Sequence, residues 1–134
     1  DHWVYYDMND FTQHRLDQAE FLKHELQSEA FKDADKRILI HHIPLFGRNL
    51  DSYAPCSDLW IPILEDAPFN VSLNAHTHRH EVIEKGVEKN NFPVIIGGGN
   101  REPGGTVMVL EKKGSNLRLE VINAAGEILV DRQL

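Results

Sequence analysis

Two short apolar runs, Arg37-Ile38-Leu39-Ile40-His41 and Val71-Ser72-Leu73-Asn74, each follow a segment of helical character, and each runs into a cluster of histidines. Their length and aliphatic, partly β-branched content are those of strands. Helix, strand, helix, strand and then several further strands make an α/β layer structure, not a bundle. The first helix is expected from about Thr12 to Ala30, because Leu16, Ala19, Leu22, Leu26 and Ala30 recur at spacings of three and four and form one apolar face. Thr12 or Asp10 can cap it, and Arg15, Asp17, Glu20, Lys23, Glu25 and Glu29 form a solvated opposite face. The run at 37–41 then reads as a buried strand.

The stretch from Leu45 to Pro55 is rich in Gly, Asn, Asp, Ser and Pro and reads as a long loop, with Phe46, Leu50 and Tyr53 as its apolar content. Ser57 or Asp58 can cap a second helix through about Asp66, with Pro62 in or beside its first turn. Glu81-Val82-Ile83-Glu84 and Phe92-Pro93-Val94-Ile95-Ile96 follow as short strands, the latter stopped by Gly97-Gly98-Gly99. The last third changes character. Val107-Met108-Val109-Leu110, Leu117-Arg118-Leu119-Glu120-Val121 and Ile128-Leu129-Val130 are separated by Gly114-Ser115-Asn116 and Ala124-Ala125-Gly126, the pattern of an antiparallel meander. No repeat, low-complexity tract or linker divides residues 1–134, so the chain is expected to be one unit without an internal boundary.

Composition narrows the function classes. Over 134 residues, 14 Lys and Arg stand against 21 Asp and Glu, a net charge of −7. A chain of that charge lacks the basic patch of a dedicated nucleic-acid binder. With 41% hydrophobic and 26% charged residues it is too apolar to be disordered by composition. No stretch approaches the ~20 apolar residues of a membrane span. The single Cys56 cannot form an internal disulfide. Asp1 is not Met, so the chain is expected to be a processed product or an excised piece of something longer.

Five of the eight histidines fall in two places, His41-His42 and His76, His78, His80, each just beyond the carboxyl end of an expected strand. Open α/β sheets place ligands there. In an extended segment, the spacing in His76-Thr77-His78 puts both imidazoles on one side, where they can converge on one metal or two adjacent ones. Pro44 gives the chain leaving His42 a defined direction. A lone His-x-His pair is common on surfaces; two clusters at two strand ends are less so. His2, His14 and His24 have no such context and read as surface residues.

Ile38-Leu39-Ile40-His41-His42-Ile43-Pro44, followed after a helix and a strand by Ala75-His76-Thr77-His78, resembles the His-x-Pro and Gly-His-x-His motifs of the calcineurin-like metallophosphoesterases, a superfamily that includes the purple acid phosphatases. The helix with Asp17-Gln18-Ala19-Glu20-Phe21-Leu22 is similar to the Gln-x-x-Trp-Leu helix preceding the His-x-Pro strand in many members. The resemblance implies a site with two divalent or trivalent metal ions, commonly iron, zinc or manganese, that hydrolyses phosphate esters. It implies His42 and His76 as ligands of the second metal and His78 as a ligand of the first; the His-x-Pro register selects His42 over His41. Ala75 stands where the family has glycine.

The departure from the family is an absence. Asp-x-His, Gly-Asp and Gly-Asn-His, which supply the other ligands, the bridging carboxylate and the histidine that assists the leaving group, do not occur. The chain therefore resembles the C-terminal half of a metallophosphoesterase α/β sandwich, with two helices and a mixed sheet ending in antiparallel hairpins. The parent is expected to be a metal-dependent hydrolase. The isolated chain is expected to hold none or one of the ions, to contain no catalytic residue of its own and to be inactive. Its expected partners are a phosphorylated substrate and the missing N-terminal half, and its exposed strand edges are expected to drive self-association. A self-contained metal-binding or interaction module using the same histidines is the competing reading. Arg48, Arg79 and Arg101 lie in loops near the motifs, where they can contact a phosphate or be ordinary surface residues, and Phe46, Tyr53 and Trp60 can line a cleft or pack in the core; no substrate-binding residue is assigned. Family relatives are often exported, so an extracytoplasmic location is the expectation.

Overall fold

The computed structural model describes residues 11–47 and 54–134; the expectations for His2, Asp10, Arg48, Leu50 and Tyr53 lie outside them. It is a mixed α/β structure of three helices, a four-stranded sheet and a three-stranded sheet.

Helix α1 spans Phe11–Gln27 and a short α2 spans Glu29–Asp33. The single helix expected over this stretch is thus broken, which makes three helices where two were expected. Ser28 breaks it: in extended conformation its hydroxyl accepts the amide proton of Phe31 at 3.1 Å and caps α2. A serine that bonds its own backbone competes with helix continuation in this way. Of the five apolar residues aligned by period, Ala19 and Leu22 are buried, Leu26 packs partly on the core, and Leu16 and Ala30 are exposed. Thr12 lies within the helix and accepts from Arg15 instead of capping it.

Strands β1 (Ile38–Ile40), β2 (Val71–Asn74), β3 (Glu81–Ile83) and β4 (Val94–Ile96) form one sheet in the order β1-β2-β4-β3. β1, β2 and β4 are parallel, and β3 runs antiparallel to β4. Alternation of side chains sorts the residues to two faces. Leu39, Val94 and Ile96 meet Leu22, Leu45, Phe46, Leu64 and Phe92 on the helical side. Val71, Leu73 and Ile95 meet Leu119 and Val121 on the other. Those two residues belong to β6 (Asn116–Asn123), the middle strand of the antiparallel meander formed with β5 (Thr106–Lys113) and β7 (Ile128–Gln133). Helices, mixed sheet and meander therefore stack as three layers, with β2 and β4 covered on both faces.

Helix α3 (Ala54–Leu64) begins before the expected caps, and Pro62 sits in its last turn, not its first. Proline offers no amide to the preceding turn, and the helix stops two residues later. β1, read as a buried strand, is the edge of its sheet, with Ile40 71% exposed. Among the described residues nothing pairs with its outer side. Between that edge and α1, α2 and α3 lies a groove of about 830 Å³, lined by residues that include Phe21, Leu26, Phe31, Ile40 and Trp60. Among the described residues the buried Trp60 indole nitrogen has no hydrogen-bond partner.

Candidate functional site

The parallel strands β1 and β2 end side by side, and both histidine clusters lie just beyond their carboxyl ends. His42 and His76 are brought into direct contact. His42 Nε2 lies 2.9 Å from His76 Nδ1, and the rings stand nearly perpendicular, with centroids 4.8 Å apart. His42 is exposed and His76 half-buried. Desolvation, then the neighbouring His42 and His78, lower the His76 pKa below the usual histidine value, so its neutral form is favoured.

The segment that carries His76 and His78 is not extended. Both residues adopt left-handed backbone conformations, φ 65° for His76 and 56° for His78, which non-glycine residues take at a cost of order 1 kcal/mol. The two-residue alternation of a strand does not apply to such a loop, so spacing alone does not set the direction of these side chains. His76 turns to His42, whereas His78 is exposed and packs beside Gly99. With Arg79 and His80, His78 lines a second cleft of about 350 Å³, whose far wall includes Gly104, Gly105 and Thr106. His80 is half-buried and donates from Nδ1 to the Ile96 carbonyl at 2.9 Å.

His41 has a different role from its neighbour. It is largely buried, and burial pushes its pKa down to about 4, against a smaller upward effect of its bond to Ile43. Its Nδ1 lies 2.7 Å from the Ile43 carbonyl, so that nitrogen carries the proton, and its Nε2 lies 3.1 Å from the Ser72 hydroxyl. With both nitrogens engaged inside the protein, His42 is the exposed histidine of the pair. Ser72 and Asn74, buried polar residues of β2 that bond to His41, were not distinguished by sequence reasoning. In Val71-Ser72-Leu73-Asn74 the alternation suggests two solvent-facing polar positions, yet all four residues are buried. Phe46 belongs to the core, Trp60 lines the groove beside β1 and packs edge-on against His41, and Arg79 and Arg101 are exposed.

Two imidazole nitrogens on a tetrahedral zinc, each about 2.0–2.1 Å from it, stand roughly 3.4 Å apart. The His42 and His76 nitrogens, hydrogen-bonded at 2.9 Å, could match one edge of such a shell once the shared proton leaves and the rings turn their lone pairs to a common point. Among the described residues, however, no three His, Cys, Asp or Glu side chains gather around a common point. The described residues thus fit part of a metal centre and do not complete one.

The fold is therefore a layered mixed α/β structure with an imidazole pair at the carboxyl ends of neighbouring parallel strands. No family model and no curated protein matches the sequence. Two solved structures are similar. One is a conserved protein from Streptococcus pneumoniae described as a predicted phosphoesterase, 15% identical over 64% of this chain and 49% of that one, with a TM-score of 0.36. The other is wild-type Vps29 from Entamoeba histolytica complexed with Zn2+, 20% identical over 71% of this chain and 53% of that one, with a TM-score of 0.34. The chain spans about half the length of these solved proteins.

Proposed function

We propose that this chain carries the distal half of a two-metal phosphoesterase site, with His42, His76 and His78 as metal ligands and a phosphate ester as substrate. The observation that carries the reading is the His42–His76 contact at the carboxyl edge of the sheet, where the sequence resembles His-x-Pro and His-x-His ligand motifs. His42, His76 and His78 would hold part of such a two-ion centre, which would supply activation of water near neutral pH and charge stabilisation for an in-line displacement at phosphorus. The chain's residues contribute lone pairs and orientation. The lowered pKa of His76 keeps its ring in the ligating, neutral form, and Pro44 fixes the direction of the chain that leaves His42. Arg79, beside His78, offers positive charge to a bound phosphate.

The other ligands come, in this reading, from an N-terminal half that pairs with the open edge of β1 and fills the groove where Ile40 and Phe21 are 71% and 62% exposed. The test is a comparison of the 134-residue chain with the longer polypeptide read from upstream, each assayed with zinc, manganese or iron against phosphomonoesters and phosphodiesters. The expected result is hydrolysis by the longer protein, abolished by His42→Ala and His76→Ala, and none by the shorter. A self-contained module would bind metal tightly as the short chain and gain no activity from the extension.

A further inference from the structure

The peptide groups on either side of His42 are both tied to the residues that lead into His76. The His41 carbonyl accepts a hydrogen bond from Asn74 Nδ2 at 3.1 Å. The His42 carbonyl accepts from the backbone amide of Ala75, also at 3.1 Å. The second bond continues the ladder between β1 and β2; the first is made by a side chain. Asn74 is itself held by two further bonds and by burial. Its Oδ1 lies 3.1 Å from the Ser72 hydroxyl, its backbone carbonyl accepts from the Gly97 amide at 2.8 Å, and it is only 5% exposed. An amide fixed in that way sets the distance between the two strand ends at the point where they separate.

We propose that Asn74 is a positioning residue for the imidazole pair: by clamping the His41 carbonyl to the end of β2, it holds His42 in contact with His76. This rests on the reading of that pair as ligands, but the clamp is a property of the folded chain and is measurable without metal. A buried asparagine that merely satisfies carbonyls would affect stability alone. The chain contains a matched comparison in Asn90, 2% exposed, whose amide donates to the Glu84 and Phe92 carbonyls in the loop before β4. Each side chain bridges two segments of backbone; only Asn74 touches the segment that carries His42.

The experiment compares Asn74→Leu with Asn90→Leu in the 134-residue chain, with Asn74→Ala replacing the first if it does not fold. One readout, without metal and at a fixed pH of about 8, where an unperturbed imidazole is neutral, is the nitrogen-15 spectrum of the histidine rings. It reports the proton shared between His42 and His76. The second is the affinity for cobalt, followed by its visible absorption. The expected result is loss of the shared-proton signature and at least a tenfold weaker cobalt affinity in the Asn74 variant, with both unchanged in the Asn90 variant despite a comparable fall in melting temperature. Retention of the wild-type ring signature by a folded Asn74 variant overturns the proposal, as does equal loss in both variants. If the wild-type chain binds no cobalt, as a half-site allows, the ring spectra alone decide the clamp, and the ligand reading is decided by the longer polypeptide.

Discussion

His42 and His76 are 34 residues apart in the chain and in direct contact in the fold, one ring edge-on to the other. Removing either therefore removes the shared geometry as well as one lone pair. His42→Ala and His76→Ala are each expected to weaken zinc binding by more than about 10–100-fold, the size of effect seen when a ligand loses only its outer hydrogen-bond partner. The double variant should fall well short of the product of the two, because residues in contact do not act additively. Calorimetric titration of the three proteins measures this; strict additivity would mean that the two rings act independently.

Self-association should depend on Ile40. An open edge carrying an exposed aliphatic side chain invites strand pairing, and a charge placed there opposes it. Ile40→Lys is expected to shift the chain toward monomer at high concentration in sedimentation velocity with little change in melting temperature, since Ile40 is 71% exposed and packs on little. A wild-type chain that is monomeric throughout would show that the groove beside β1 is not a self-association surface.

The turn between β4 and β5 should not tolerate a side chain at Gly98. A Cβ there would stand 2.0 Å from the Gly104 carbonyl oxygen, a backbone atom, and 3.1 Å from the Thr106 methyl. Gly98→Ala is expected to destabilise by about 2–3 kcal/mol, the range of substitutions that force the backbone apart. Ala at Gly126 meets no such clash, although its φ of 83° carries a conformational cost. Urea denaturation of both variants checks the ordering, with Gly98→Ala the more damaging.

Ile95 lies at the centre of the layered core, fully buried between Val71 and Leu73 on β2 and the inner face of the meander. Ile95→Ala is expected to cost about 3–4 kcal/mol, from lost apolar burial and the cavity left behind. Equilibrium unfolding is the measurement. A loss below about 1 kcal/mol would mean that the meander does not depend on this contact.

The Arg118–Asp131 pair joins β6 to β7 through two hydrogen bonds of 2.7 and 2.6 Å, and the guanidinium holds the Asp131 carboxyl below its ordinary value. Because the folded pKa is the lower one, its contribution to stability is fully present above the ordinary aspartate value. It disappears as pH falls through that value toward the folded one. Asp131→Asn should therefore flatten part of the acid limb of the melting curve, by a small amount that shrinks further in high salt because the pair is exposed. Superimposable pH profiles would show that the pair is energetically silent.

The amino-acid sequence by itself determined which segments become helix and which become strand, because those are decided by local periodicity and turn residues. The apolar spacing around Ala19 and Leu22, the β-branched runs at 38–40 and 94–96 and the turns at 114–116 and 124–126 all act within a few residues. It also brought the histidines to strand ends. Where the sequence misled, a competing local bond or a distant neighbour decided the outcome. Ser28 cut one helix into two by capping the second, and Pro62 ended α3 instead of opening it. The alternation in Val71-Ser72-Leu73-Asn74 concealed two buried polar residues, because β2 is covered on both faces by layers contributed from residues 22–64 and 108–134. Tertiary structure alone made β1 an edge, put His76 and His78 on left-handed backbone and set His42 against His76 across two strand ends. Those relations depend on contacts between residues more than 30 positions apart, which no local pattern can encode.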